Sequence, residues 1–183
     1  MNILILGSAF NPPHLGHADT VNQNIDEFDK ILLVPSYAHG FGKEMKPFEH
    51  RMELTHEFAK QFHDGTANKV EACGIEKDIY LSRENKSPVY TYTLLSWLQD
   101  KYGADTNLTF LMGPDNEENF HKFYKHHEIK ERWNIVVAKE RVLTRSSAIR
   151  PLITADKIHQ AEIETMTGKA VSDKIFENIE LWV

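Results

Sequence analysis

The sequence predicts an α/β fold, a doubly wound parallel sheet, on three observations. Short apolar runs of strand-forming residues recur at 2–6, 30–34, 70–75, 107–112 and 134–138. Helix-like segments with one apolar face separate them, the alternation that builds parallel sheets. Gly7, Pro35 and Gly113 stop three of the runs, marking loops that leave strand ends. In such folds ligands bind at the carboxyl ends of the strands.

Taken in order, Ile3-Leu4-Ile5-Leu6 is a continuous apolar run that fits a central strand buried on both faces. A helix follows from Gly16 to about Glu27. Lys30 to Val34 is the second strand, and Pro35 to Pro47 is a loop punctuated by glycine and proline. From Phe48 to about Phe62, Met52, Leu54, Phe58, Ala59 and Phe62 share one helix face. Val70 to Ile75 is the third strand. Tyr90 to Tyr102 is a helix with Leu94, Leu95, Trp97 and Leu98 apolar. Asn107 to Met112 is the fourth strand. Short helical stretches follow at Asn116 to Tyr124 and around Glu128. Asn134 to Ala138 is the fifth strand, Ser146 opens a helix, and Ala170 to Ile179 is the last helix. With no repeat, low-complexity segment or linker, residues 1–183 read as one domain.

Composition narrows the function. A net charge of −6 argues against sequence-independent nucleic-acid binding, which needs clustered Lys and Arg. Cys73 is the single cysteine, so an intramolecular disulfide is excluded and a reducing compartment is implied. It reads as a packed small residue. No apolar run reaches the ~20 residues of a membrane span. The N-terminal run is too short for a signal peptide, so the expected location is cytoplasmic, without membrane contact. His50, His56 and His63 do not share a helix face at i, i+4, and His126 and His127 are adjacent and diverge; no protein-held metal is expected. Glu117-Glu118 reads as a solvated helix face.

The chemistry concentrates in Gly7-Ser8-Ala9-Phe10-Asn11-Pro12-Pro13-His14-Leu15-Gly16-His17. Backbone N–H groups at a strand-to-helix turn are a ready anion site. Gly16 removes a side chain at a close approach. His14 and His17 add donors able to carry positive charge and to meet phosphoryl oxygens in a transition state. Phosphoryl transfer runs on positioning and charge stabilisation and needs no nucleophilic side chain. No Walker loop and no pattern of three spaced glycines is present. A second anion cradle is Arg145-Ser146-Ser147-Ala148-Ile149-Arg150. Ser146 or Ser147 suits a helix N-cap, with Arg145 and Arg150 flanking the positive end of the helix.

The two motifs together resemble the nucleotidyltransferase superfamily with the His-x-Gly-His signature. Val34-Pro35-Ser36, His50-Arg51-Met52, Tyr90 to Leu94 with Trp97, Gly113-Pro114-Asp115 and the tail from Val171 to Trp182 resemble the nicotinate/nicotinamide mononucleotide adenylyltransferases. The resemblance spans nearly the whole chain. It implies a Rossmann-like nucleotidyltransferase fold and a reaction of NAD biosynthesis. ATP and a pyridine mononucleotide give the dinucleotide and pyrophosphate, with Mg²⁺ travelling on ATP.

By the same resemblance His14, His17 and Arg150 are catalytic. Gly7, Ser8, Ala9, Phe10, His14, Gly16, His17, Arg145, Ser146, Ser147 and Arg150 bind ATP. Lys43, Arg51, Tyr90, Thr91, Gly113, Asp115 and Phe123 serve the mononucleotide. Phe123 is either a stacking partner for the pyridine ring or a core aromatic. Lys43, Lys46 and Arg51 either meet the mononucleotide phosphate or are surface charges. ATP and the mononucleotide are the expected partners, with a homo-oligomer as an open alternative. Asn11 and Ser8 depart from the Asp and Gly usual in the family. The stretch between Ala138 and Ser146 is too short for the extra strand many bacterial members carry there. A related transferase with another phosphorylated acceptor, such as phosphopantetheine, and a non-catalytic nucleotide-binding module are the competing readings.

Overall fold

The computed structural model describes residues 1–39, 42–63 and 68–183; Gly40 and Phe41 of the predicted Pro35–Pro47 loop lie outside the described residues. Five strands, β1 (Asn2–Ser8), β2 (Lys30–Pro35), β3 (Val70–Ala72), β4 (Asn107–Met112) and β5 (Asn134–Val137), pair in parallel in the order β3-β2-β1-β4-β5. The apolar run of β1 explains its central place. Ile3 and Ile5 point into one core while Leu4 and Leu6 point into the other, as side chains must alternate along a strand.

Nine helices flank the sheet among the described residues: α1 (Leu15–Asn22), α2 (Phe48–Lys60), α3 (Ile75–Ser82), α4 (Thr91–Tyr102), α5 (Pro114–Glu118), α6 (His126–Arg132), α7 (Ser146–Ile149), α8 (Gln160–Thr167) and α9 (Lys169–Glu177). Val21 of α1, Leu54 and Phe58 of α2, Ile163 of α8 and Ile175 of α9 cover one face with Leu4, Ile31 and Leu33. Ile79 of α3, Leu94, Leu95 and Leu98 of α4 and Ile129 of α6 cover the other with Ile5, Leu32 and Phe110. Each fully buried Leu, Ile or Phe contributes about 1.5–3 kcal/mol of transfer free energy, so the two layers dominate stability. Cys73 packs in the second layer, as expected.

The predicted Gly16–Glu27 helix is shorter than expected. α1 ends at Asn22 and a 3-10 turn occupies Ile25–Glu27. Asn24 explains the break: its amide donates to the Thr20 carbonyl at 3.0 Å, competing with continued helix. The third strand stops at Ala72, and Ile75, expected at its end, instead opens α3. Ile75 and Ile79, four apart, give α3 its buried side. α8 was also not predicted; it is largely polar and meets α9 at Gly168, whose φ of 90° favours glycine.

Strand order reverses between β1 and β4. The chain leaves β1 toward β2 on one side, and β4 lies on the other. A crevice must open at the carboxyl ends there. The Gly7–His17 loop leaves β1 and Gly113 leaves β4 at that point.

Candidate active site

A cleft of about 440 Å³ occupies the switch point. It is lined by Gly7, Ser8, Ala9, His14, Gly16 and His17 from the first motif and by Arg145, Ser146, Ser147 and Arg150 from the second. Lys43, Gly113 and Asp115 line it as well. The fold therefore brings two segments about 130 residues apart in sequence onto one cavity.

The histidines cap the helix they begin. His14 is the N-cap of α1, and its Nδ1 accepts the Gly16 backbone N–H at 3.1 Å. His17, three residues on, returns the bond: its Nδ1 accepts the His14 backbone N–H at 3.1 Å. This is a capping box in which imidazole nitrogens replace the usual oxygens. A ring nitrogen that accepts carries no hydrogen, so both rings hold their proton on Nε2. Burial, with the Arg145 charge adding to it, lowers the His14 pKa to about 4. Burial and then His14 hold His17 well below its ordinary value. Both rings are therefore neutral near pH 7. The imidazoles, expected as donors able to carry positive charge, act here as neutral N–H donors.

His17 Nε2 lies 3.1 Å from Ser8 Oγ, so its hydrogen points to that hydroxyl, which lines the cleft. The His14 and His17 ring centroids are 3.8 Å apart, and Phe10 lies 4.7 Å from His17. Phe10 has a φ of 47° and its side chain is fully buried. It was expected among the ATP contacts; the whole residue is buried and does not line the cleft. Gly16 is required by crowding. A Cβ there would stand 2.8 Å from His14 Cε1 and 2.9 Å from the Thr144 carbonyl oxygen.

The second cradle differs from the predicted capped helix. The N-cap of α7 is Arg145, with no side-chain cap, and neither Ser146 nor Ser147 fills that role. The Ser146 hydroxyl donates instead to the Pro12 carbonyl at 2.8 Å. Arg150 Nη1 donates to the Asn11 carbonyl at 3.0 Å. Arg145 pairs with Glu140.

Arg51 is also corrected. It was expected at a phosphate or on the surface, yet it is 1% exposed. Its Nε donates to the Lys46 carbonyl at 2.7 Å, and its Nη1 to the Ala9 and Ser36 carbonyls at 2.9 and 2.7 Å. It ties the loops after β1 and β2 to the start of α2. Burial lowers its pKa to about 10, so it stays charged. Tyr90, Thr91 and Phe123 do not line the cleft. Tyr90 caps the start of α4 and rests 5.6 Å from Tyr124; Phe123 is half-buried against Phe120 and Phe110, at 5.2 and 6.4 Å.

Sequence reasoning missed the wall formed by Asp19, Thr20 and residues 138–142. A signal existed: Gly16, Asp19, Thr20 and Gln23 share one face of α1 at helical spacing. Among the described residues no group of three or more His, Cys, Asp or Glu is arranged to hold a metal ion, and no helix is long and apolar enough to cross a membrane.

Residues 5–161 match the model of the cytidylyltransferase-like family. The chain belongs to that family. A relative from Aliarcobacter butzleri that carries the name nicotinate-nucleotide adenylyltransferase is 31% identical over 140 residues, 75% of this chain and 71% of its own length. A crystal structure of a protein described as a nicotinate-nucleotide adenylyltransferase from Vibrio parahaemolyticus superposes with a TM-score of 0.77 at 34% identity, covering 98% of this chain and 94% of that one. The nicotinic acid mononucleotide adenylyltransferase of Plasmodium falciparum, solved with NaAD, shares the fold at a TM-score of 0.74 and 15% identity, with 98% of each chain covered. Within the cytidylyltransferase-like family, the chain thus groups with the nicotinate-nucleotide adenylyltransferases, and the predicted doubly wound sheet is theirs.

Proposed function

We propose that the protein transfers the adenylyl group of ATP to nicotinate mononucleotide, forming the dinucleotide and pyrophosphate in NAD biosynthesis. One observation carries the reading: the His14/His17 capping pair and the Arg145–Arg150 segment line the same cleft at the sheet's switch point. The names of the relatives favour the acid mononucleotide over its amide.

In this reading a 5′-phosphate oxygen of the mononucleotide attacks the α-phosphorus of ATP. The bond from that phosphorus to the bridging oxygen of the β-phosphate breaks, and the electron pair leaves with pyrophosphate. No side chain needs to be a nucleophile. The neutral Nε2–H of His17 donates to an α-phosphoryl oxygen as charge builds, and His14 does the same from the helix cap. With Nδ1 held by the cap, the His17 ring is already oriented and only exchanges the Ser8 hydroxyl for a phosphoryl oxygen as acceptor. Arg145, Ser147 and Arg150 take the β- and γ-phosphates. The Asp115 carboxylate suits ribose hydroxyls and Lys43 suits the mononucleotide phosphate. Tyr90, Thr91 and Phe123 do not line this cleft and take no part in this reading. Mg²⁺ enters as part of the substrate Mg-ATP, held by phosphate oxygens.

The test is turnover with Mg-ATP and the acid and amide mononucleotides in parallel, reading dinucleotide and pyrophosphate. The expected result is formation of both products, with higher kcat/KM for the acid. Binding of Mg-ATP without product from either mononucleotide would overturn the reading.

A further inference from the structure

The two motif segments are laced together in antiparallel order. Gln23 meets Lys139 and Asp19 meets Arg141; then come Gly16 and Thr144, Pro12 and Ser146, and Asn11 and Arg150. As residue numbers rise on one side they fall on the other. The contacts at the Asn11–Arg150 end use the motif residues themselves. The two at the far end use side chains outside both motifs, Asp19 of α1 and Gln23 at its C-cap.

The far end has a specific geometry. Gln23 Nε2 donates to the Lys139 carbonyl at 2.7 Å, and Gln23 Oε1 accepts the Lys139 N–H at 3.0 Å. One carboxamide thus satisfies both backbone groups of one residue, as a neighbouring strand would. The position matters because the sheet ends at β5 and residues 139–145 have no strand partner. Asp19 adds a two-point pair with Arg141, Oδ2 to Nε at 3.0 Å and Oδ1 to Nη2 at 2.7 Å. Gln23 Nε2 also donates to Asp19 Oδ2 at 3.0 Å, locking the two side chains to each other.

We propose that Gln23 and Asp19 are positioning residues that hold the 139–145 segment on α1, so that Arg145 stands across the cleft from His14 and His17. The inference rests on the reading of this cleft as the ATP site. These contacts add little to global stability. Arg141 is 56% exposed, and a surface ion pair is worth at most about 1 kcal/mol. Their effect falls on where the segment sits. Residues 139–142 and 144–145 all line the cavity; the clamp holds Lys139 and Arg141, and residues 142–145 run from it to α7. A displaced segment carries Arg145 with it.

The experiment is a double-mutant cycle read as Mg-ATP affinity by calorimetry and as KM for ATP. Gln23→Ala and Asp19→Ala each are expected to weaken ATP about tenfold, with kcat changed less than about twofold and the melting temperature nearly unchanged. In an Arg145→Ala background the Gln23→Ala effect should shrink to less than about twofold, because the group it positions is gone. The charge exchange Asp19→Arg with Arg141→Asp should recover most of the affinity lost in Asp19→Ala, a rescue that loss of folding does not allow. Unchanged ATP affinity in both single variants overturns the proposal. So does a Gln23→Ala loss of equal size with and without Arg145. A wild-type protein that binds Mg-ATP but makes no dinucleotide defeats the transfer reading and leaves the clamp to be judged by the affinities. A wild-type protein that does not bind Mg-ATP overturns both.

Discussion

His17 Nδ1 accepts the backbone N–H of His14 at 3.1 Å, and this single bond decides which nitrogen of His17 carries hydrogen. With Nδ1 committed to the helix cap, Nε2–H is what reaches the cleft, beside Ser8 Oγ at 3.1 Å. One ring nitrogen of each histidine thus serves the helix cap, and the proposed reading gives the other to the phosphates.

In the proposed reading, His17→Ala removes a donor that acts as charge builds on the α-phosphate. Turnover is expected to fall about 10²–10³-fold, the range for losing one preorganised donor. ATP binding survives, because Arg145 and Arg150 remain. Steady-state kinetics beside calorimetry checks this. Retained turnover in His17→Ala would remove His17 from the mechanism.

The histidines also set a pH signature. With His14 lowered to about 4 and His17 well below its ordinary value, neither ring titrates near 6.5 in the folded protein. Catalytic efficiency is expected to show no ionisation of these rings between pH 6 and 8. Stability behaves with a definite sign. Unfolded histidine binds a proton near pH 6.5, while folded His14 does not until about pH 4. Stability from this group is complete above about pH 6.5 and is lost as pH falls toward 4, by roughly 3 kcal/mol in all. Urea titrations from pH 7.5 to 4.5 measure it, and replacing His14 by Gln should flatten the slope.

Gly16→Ala tests the crowding at the cap. The added Cβ would stand 2.9 Å from both His14 Nδ1 and the Thr144 carbonyl oxygen. One neighbour is backbone and cannot yield cheaply. Overpacking of this kind costs about 1–3 kcal/mol, and here it also displaces a donor. The variant should unfold at lower urea and lose most activity; wild-type values for both would show that the cap tolerates a side chain.

Glu76 gives a prediction of opposite sign. Its carboxyl is 5% exposed, and burial pushes its pKa up to about 8, although the Tyr37 N–H bond and the charges of Arg51 and Arg83 pull it down. A group whose folded pKa is raised contributes fully below its unfolded value, about 4.5, and the contribution is lost as pH rises toward 8. Glu76→Gln keeps an acceptor for the Tyr37 N–H, 3.3 Å away in the native protein. The variant should match wild type at pH 4.5 and melt at higher temperature at pH 8.5. Equal melting temperatures at both pH values would contradict a neutral buried carboxyl.

The sheet was legible because apolar runs bounded by Gly and Pro are its direct cause, and β4 falls on the predicted residues, Asn107 to Met112. The placement of the first motif and of Gly113 at strand ends was legible for the same reason. Three things were not. α3 was hidden because Cys73-Gly74-Ile75 continues an apolar run, and only the chain's turn at Gly74 shows that the strand has ended. The buried Arg51 reads as a phosphate contact or a surface charge in sequence, since two of its partners are carbonyls of loops 15 and 42 residues away. The histidine tautomers depend on backbone hydrogen bonds at the cap, which no residue pattern reports. The role of Ser146 was misread for a related reason. Local propensity makes it a cap, but Pro12, 134 residues away, takes its hydroxyl.

The central claim is that the cleft transfers the adenylyl group rather than merely holding a nucleotide. It is tested most directly with ATP radiolabelled at the α-phosphate, incubated with nicotinate mononucleotide and Mg²⁺. The account predicts label in the dinucleotide and an equal amount of unlabelled pyrophosphate, with both signals falling together by about 10²–10³-fold in His17→Ala. Label remaining in ATP, or pyrophosphate released without labelled dinucleotide, would contradict it.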